Sequence, residues 1–234
     1  MSKRGLLFLS IVLLQFNAFN SHAQNDSIRF LQAHRAVLKG DFNIAIPLFT
    51  KIIEHKPNFE KAWRDRGSCY LDLGKLKEAL SDYNMAIQLD STDELIYENR
   101  GTLFSLKKKN TEALADFKMA IRLDSSCISA YCSCGTLLNE LKRFDEAEIY
   151  FRNAVRFASG KDRANCYCDL GFTSLLKGNY ENAINHLSQA INLNPNLADA
   201  YKYRAEAYFD LENYQAYEED IVKQREVSKK LAKK

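Results

Sequence analysis

Five of the six cysteines, Cys127, Cys132, Cys134, Cys166 and Cys168, fall within 42 positions, and four of them form two C-x-C pairs separated by 34 residues; Cys69 stands apart. Clustered thiols suggest three chemistries: a disulfide, a reactive thiolate, or a metal held by sulfur. On a helix, residues two apart point about 160° away from each other, so all four sulfurs cannot converge on one ion. The other groups that could catalyse are scattered. His22, His34, His55 and His186 lie far apart in sequence, with no histidine pair or triad beside a suitable nucleophile, and no phosphate-cradling glycine loop is present. No enzyme, no cofactor, no metal and no small-molecule substrate is expected.

These residues must be positioned by helices. The chain of 234 residues is 46% apolar and 27% charged, as in a folded soluble protein, and nine glycines with three prolines supply too few turns for a many-stranded β protein. The 33 basic and 30 acidic residues are too evenly balanced to mark a nucleic-acid surface. Residues 1–23 read as a secretory signal: Lys3 and Arg4, an apolar run from Leu6 to Leu14, then small residues at Ser21 and Ala23. Gln15, Asn17 and Asn20 interrupt the run, which argues against a retained membrane anchor, and no cysteine stands at the cleavage point to carry a lipid. The expected product is Gln24–Lys234, periplasmic or secreted, touching membranes only peripherally if its basic tail does so at all.

Self-alignment gives a period of 34 residues, with units at 26–59, 60–93, 94–127, 128–163, 164–197 and 198–231. The fourth position of a unit holds Trp63, Tyr97, Tyr131, Tyr167 and Tyr201, and the eighth holds Ala33, Gly67, Gly101, Gly135, Gly171 and Ala205. The twentieth holds Ala45, Ala79, Ala113, Ala147 and Ala183; the twenty-fourth holds Phe49, Tyr83, Phe117, Phe151, Leu187 and Ile221. Small residues let two antiparallel helices approach, and the aromatic residues fill the space around that contact. The pattern resembles the tetratricopeptide repeat family. That resemblance implies an all-α, right-handed superhelical solenoid of six helix-turn-helix units, which docks a protein or peptide on the concave face lined by the first helices. In unit six, Tyr217 and Gln224 replace the small residues at positions twenty and twenty-seven, and a run of charges follows, so its second helix is expected to be a cap. The family's clamp for a terminal carboxylate is not expected, since its places hold Arg64, Ser68, Asn99, Ser129 and Ser133.

Positions seven and twenty-three vary together: Arg66 with Asp82, Arg100 with Asp116, Arg204 with Asp220, and uncharged residues or histidine elsewhere. These are expected to be structural ion pairs between the helices of a unit. At about 100° per residue, positions two, five, six, nine, twelve and thirteen of each first helix face the groove. They include Arg64 and Glu98 early in the chain, then Phe172, Leu175, Leu176, Lys202, Tyr203 and Phe209 later. The apolar cluster Phe172, Leu175, Leu176 and Phe209, rimmed by Lys202 and Tyr203, is the expected partner-binding patch. Phe30, Leu31, Val37 and Leu38 in unit one are placed on the same arc. Cys132 and Cys168 are expected to face the groove, and Cys134 and Cys166 to face the packing between units, leaving free thiols or one disulfide as the favoured readings. The competing functional reading is a structural subunit of a cell-envelope assembly, forming a homodimer or stack through its end repeats.

Overall fold

The computed structural model describes residues 25–232; the expected signal segment, residues 1–23, lies outside them. All regular elements among the described residues are α-helices: α1 (25–38), α2 (Phe42–His55), α3 (Glu60–Asp72), α4 (Leu76–Leu89), α5 (Glu94–Leu106), α6 (Asn110–Leu123), α7 (Ile128–Glu140), α8 (Phe144–Phe157), α9 (Gly160–Leu176), α10 (Tyr180–Leu193), α11 (Ala198–Asp210) and α12 (Tyr214–Leu231). Two compact units divide after Leu103. The first holds α1 to α4 and most of α5; the second holds the last turn of α5 and α6 to α12. Within each unit, successive helices pack in pairs in the manner of a solenoid.

The turn inside each pair is set by one backbone position. Gly40, Gly74 and Gly178 adopt positive φ there (76°, 69° and 73°), and Lys108, Lys142 and Glu212 take the same conformation at 58°, 57° and 59°. All six are the fifteenth residue of the 34-residue period. The left-handed residue lets the next N–H reach back to the last helical turn: Lys75 N to Tyr70 O at 2.8 Å, Arg143 N to Leu138 O at 2.8 Å, and Asn179 N to Ser174 O at 3.0 Å. The turn between pairs has its own device. The Oδ1 atoms of Asp90, Asp124 and Asn194 accept from the backbone N–H of Thr92, Ser126 and Asn196 at 2.8, 2.9 and 3.1 Å. Hydrogen bonds from Thr92 and Ser126 hold the Asp90 and Asp124 carboxyls below their usual range.

Inside the pairs, Ala45, Ala79, Ala113, Ala147 and Ala183 are fully buried. A methyl group added at Gly67 would lie 2.9 Å from a Tyr83 ring carbon, at Gly135 2.6 Å from the Phe151 ring, and at Gly171 2.5 Å from Leu187 Cγ. The small residue at the eighth position is thus required by the large one at the twenty-fourth. In the first unit this layer joins Ala33 and Ala36 to Phe49, Ile52, Ala62 and Cys69. In the second it runs through Phe117, Cys134, Leu138, Phe151 and Leu170, then through Leu187, Ala190, Tyr201 and Val227.

Each unit also contains a two-pronged ion pair between the helices of one pair. Arg66 donates from Nε and Nη2 to both oxygens of Asp82, each at 2.8 Å, and from Nη1 to Thr50 Oγ1 at 3.0 Å. Arg204 repeats the arrangement with Asp220 at 2.8 Å twice and with Ser188 Oγ at 2.8 Å. Asp82 and Asp220 are buried, and the fork satisfies both carboxylate oxygens. Where the pair is absent, Leu170 is core and His186 is half-buried, with Nδ1 3.3 Å from Ser174 Oγ. Burial keeps the His186 imidazole below its usual pKa. At the end of the second unit, α12 buries only Asp220 and Val227 and exposes Glu218, Glu219, Lys223, Arg225 and Glu226.

Candidate partner-binding groove

Neighbouring first helices touch along their flanks, and the register of that contact determines which side chains remain available. Position nine of one repeat meets position six of the next. In the first unit His34 Nε2 lies 3.1 Å from Asp65 Oδ2 without hydrogen-bond alignment, and Asn99 Nδ2 donates to Ser68 Oγ at 3.1 Å. In the second unit the same register packs Phe172 against Tyr203, with ring centroids 4.5 Å apart and planes tilted by 32°.

Position five faces the following helix instead of the groove. Arg64 reaches Asp93 at 2.5 Å and Asp65 at 2.8 Å, and Cys132 Sγ lies 3.9 Å from Cys166 Sγ. Cys168 is buried among the side chains of α10 and α11. The expected placement of Cys132 and Cys168 together on the groove is therefore corrected, as is a shared layer for Cys134 and Cys166. Residues at positions three and five lie on opposite flanks of their helix, so side-by-side helices bring Cys132 to Cys166 and leave Cys134 and Cys168 in separate cores. All six cysteines are free. Burial pushes the Cys69, Cys134 and Cys168 thiols up to about 12. In the close pair, the neighbouring sulfur and burial raise the Cys132 thiol, and the hydrogen bond from Cys132 lowers that of Cys166.

Of the other groove residues, Arg64 is engaged in its two ion pairs, and Glu98 is half-buried in the first unit. Phe30 packs against Phe49 and Phe59, and Val37 joins the same core, whereas Leu31 and Leu38 are exposed. In the second unit Phe172, Leu176 and Tyr203 line one open cavity of about 430 Å³. Leu176 is 40% exposed. Leu175 packs into the core of α9 to α11, and Phe209 turns to the rings of Tyr214 and Tyr217, at 5.8 and 5.4 Å. Lys202 is exposed, its Nζ 5.4 Å from the centre of the Tyr203 ring. It sits at position five, and among the described residues no further first helix follows α11 to cover it.

The cavity also holds polar residues, of which Asn139 and Glu140 were expected on the groove-facing arc of unit four and Asp169 was not singled out. Asn139, Glu140 and Asp169 line it beside the rings. Burial, and secondarily the charge of Asp199, raise the Asp169 carboxyl to about 6. Asp169 occupies position six, inside the arc that faces the groove, so its place in the repeat was the available signal.

Tetratricopeptide repeat profiles match residues 60–93 and 128–160, and a TPR repeat profile matches 175–212. The chain belongs to the tetratricopeptide repeat family. Its fold is similar to YrrB, described as a TPR protein with an unusual peptide-binding site, at TM-score 0.63 and 23% identity over 76% of this chain and 91% of that one. It is also similar to PilW, described as a type IV pilus biogenesis factor, at TM-score 0.74 and 21% identity over 84% and 90%. A Protein SGT1 homolog from Oryza sativa subsp. japonica is 35% identical over 66 residues, which is 28% of this chain and 18% of that relative. The chain thus spans under a fifth of that relative's length. Proteins of this family bind protein or peptide partners and are generally non-catalytic, which makes this chain a protein-protein interaction scaffold.

Proposed function

We propose that the chain is a non-catalytic adaptor outside the cytoplasm, built of six repeats as divided above, and that it docks a peptide or helix of a partner protein in the groove of its second unit. The observation that carries this reading is the open cavity where Phe172, Leu176 and Tyr203 offer apolar surface beside unpaired acceptors. Burying such surface, with rings as anchors, is the usual source of affinity in a docking groove. Export rests on the basic, apolar and small-residue pattern of residues 1–23.

Affinity capture from the native cell envelope tests the reading, using the wild-type chain beside a Phe172→Asp/Leu176→Asp variant whose helicity is verified by circular dichroism. A partner retained by the wild type and lost by the variant is the expected result; retention by both would remove the groove from consideration. A second reading, self-association through the first repeat, is favoured by Ile28, Leu31 and Leu38 on α1, exposed at 47%, 62% and 87%. Light scattering of the purified chain distinguishes it, because a dimer dispersed by Leu31→Glu/Leu38→Glu would support self-association.

A further inference from the structure

We infer that the groove cavity of the second unit is a socket for a cationic side chain, an arginine or lysine presented by the docked protein segment. The inference rests on the docking reading above and adds the chemistry of one subsite.

The contact between positions nine and six is closed at His34 and Asp65, at Ser68 and Asn99, and at Phe172 and Tyr203. At the corresponding place between α7 and α9 it is open. Thr136 and Asp169 both line the cavity, yet the Asp169 carboxylate has neither a hydrogen bond nor a cation among the described residues. Beside it, Asn139 Nδ2 donates to Thr173 Oγ1 at 2.9 Å, and that hydroxyl donates to the Asp169 carbonyl at 2.8 Å. The hydroxyl proton is thereby committed, which orients the Asn139 amide and leaves its buried Oδ1 without a donor. Glu140 adds a second carboxylate at the mouth.

The largely buried Asp169 carboxylate is an acceptor without a donor, Glu140 adds a second negative charge beside it, and a third, Asp199, acts on Asp169. An anionic ligand is excluded by charge, and an apolar one would leave the acceptors unsatisfied. The Phe172 ring lines the same cavity, and the face of such a ring attracts cations, as the neighbouring Tyr203 ring does with Lys202. A guanidinium matches this set best: it is planar, packs on rings and can pair with the Asp169 carboxylate through parallel N–H donors.

The test uses the ¹⁵N-labelled full chain titrated with the capped tripeptide acetyl-Gly-Arg-Gly-amide and its citrulline counterpart, which keeps the shape and removes the charge. Saturable shifts confined to amides around Asn139, Asp169, Phe172 and Tyr203, present with arginine and absent with citrulline, are expected. Asp169→Asn should weaken the arginine peptide by about tenfold or more. Phe172→Leu, which keeps an apolar wall but removes the ring, should weaken it by about threefold. Asp65→Asn, in the first unit, should leave it unchanged. Equal binding of both peptides, shifts elsewhere, or an Asp169→Asn variant that binds as well as wild type would overturn the inference. Concentration-dependent shifts of the same amides without peptide would overturn it by assigning the cavity to a second copy of the chain. If the captured partner is lost by Phe172→Asp/Leu176→Asp but kept by Asp169→Asn, the socket fails while docking stands. If the first variant also keeps the partner, docking itself fails.

Discussion

The first helices α3 and α9 present the same positions to the same kind of neighbour, yet one face is closed and the other open. On α3, Arg64 is paired to Asp65 and Asp93, Asp65 is also approached by His34, and Ser68 is bonded to Asn99. On α9, the equivalent residues are Cys168, Asp169 and Phe172: a buried thiol, a carboxylate with no partner, and a ring packed against the next helix beside an open cavity. The backbone arrangement is common to both, so the difference lies in side-chain identity. A repeat can engage its charged flank residues with one another, or leave acceptors and rings for something else. The second unit does the latter.

What the units share should respond alike to substitution, and this sets the largest expected effect. Asp82→Ala leaves the Arg66 guanidinium facing a partly buried gap and should cost about 3–5 kcal/mol, whereas Arg66→Leu/Asp82→Leu should cost clearly less. Urea denaturation of both variants measures this, and equal losses would contradict a structural role for the pair. The second unit alone has two thiols in reach of each other. Equilibration with glutathione disulfide should oxidise Cys132 and Cys166 to a bridge, releasing two glutathione thiols. Closing that loop should raise stability by up to about 3–4 kcal/mol on the chain-entropy account. Peptide mapping that finds no Cys132–Cys166 linkage would set their proximity aside.

The comparison of the two aspartates predicts opposite signs. Asp65→Asn should destabilise by about 1–2 kcal/mol, through loss of the ion pair to Arg64. Asp169→Asn should stabilise at neutral pH by up to about 3 kcal/mol, because the carboxyl titrates near 6 when folded against 3.8 as its ordinary value. The folded state binds that proton more tightly, so the penalty is absent below about pH 4, grows between about 4 and 6, and is complete above. Stability curves for wild type and Asp169→Asn should therefore converge as pH falls through this window, and curves that stay parallel would show that Asp169 is not the source. The smallest effect concerns the shared turn. Lys142→Gly should stabilise the second unit by about 0.5–1 kcal/mol by relieving a positive φ, while Gly74→Ala should destabilise the first by a similar amount; thermal melts resolve both.

Much of the fold was legible because each recurring residue type answers a recurring steric demand. Gly171 faces Leu187 and Gly135 faces Phe151, and the sequence pattern of small against large expresses that contact directly. The paired charges Arg66 with Asp82 and Arg204 with Asp220 were legible for a similar reason, since neither partner is stable alone in a half-buried place. The turn residue at position fifteen was less visible, because Lys108, Lys142 and Glu212 substitute for glycine at a modest cost in backbone strain. The groove was read in part: Phe172, Leu176 and Tyr203 share a cavity, while Arg64 and Cys168 are taken up by the following helix.

By itself, the sequence determined the 34-residue period, the helix pairs and the identity of the packing layer, because those depend on contacts within a repeat and recur with it. The tertiary structure alone decided which members of the groove-facing arc remain available. That choice depends on the flank contact between successive first helices, in which position nine meets position six and position five is covered. Asp169 is open and Asp65 closed because of what stands one repeat away, and helical periodicity carries no information about a neighbour's side chain.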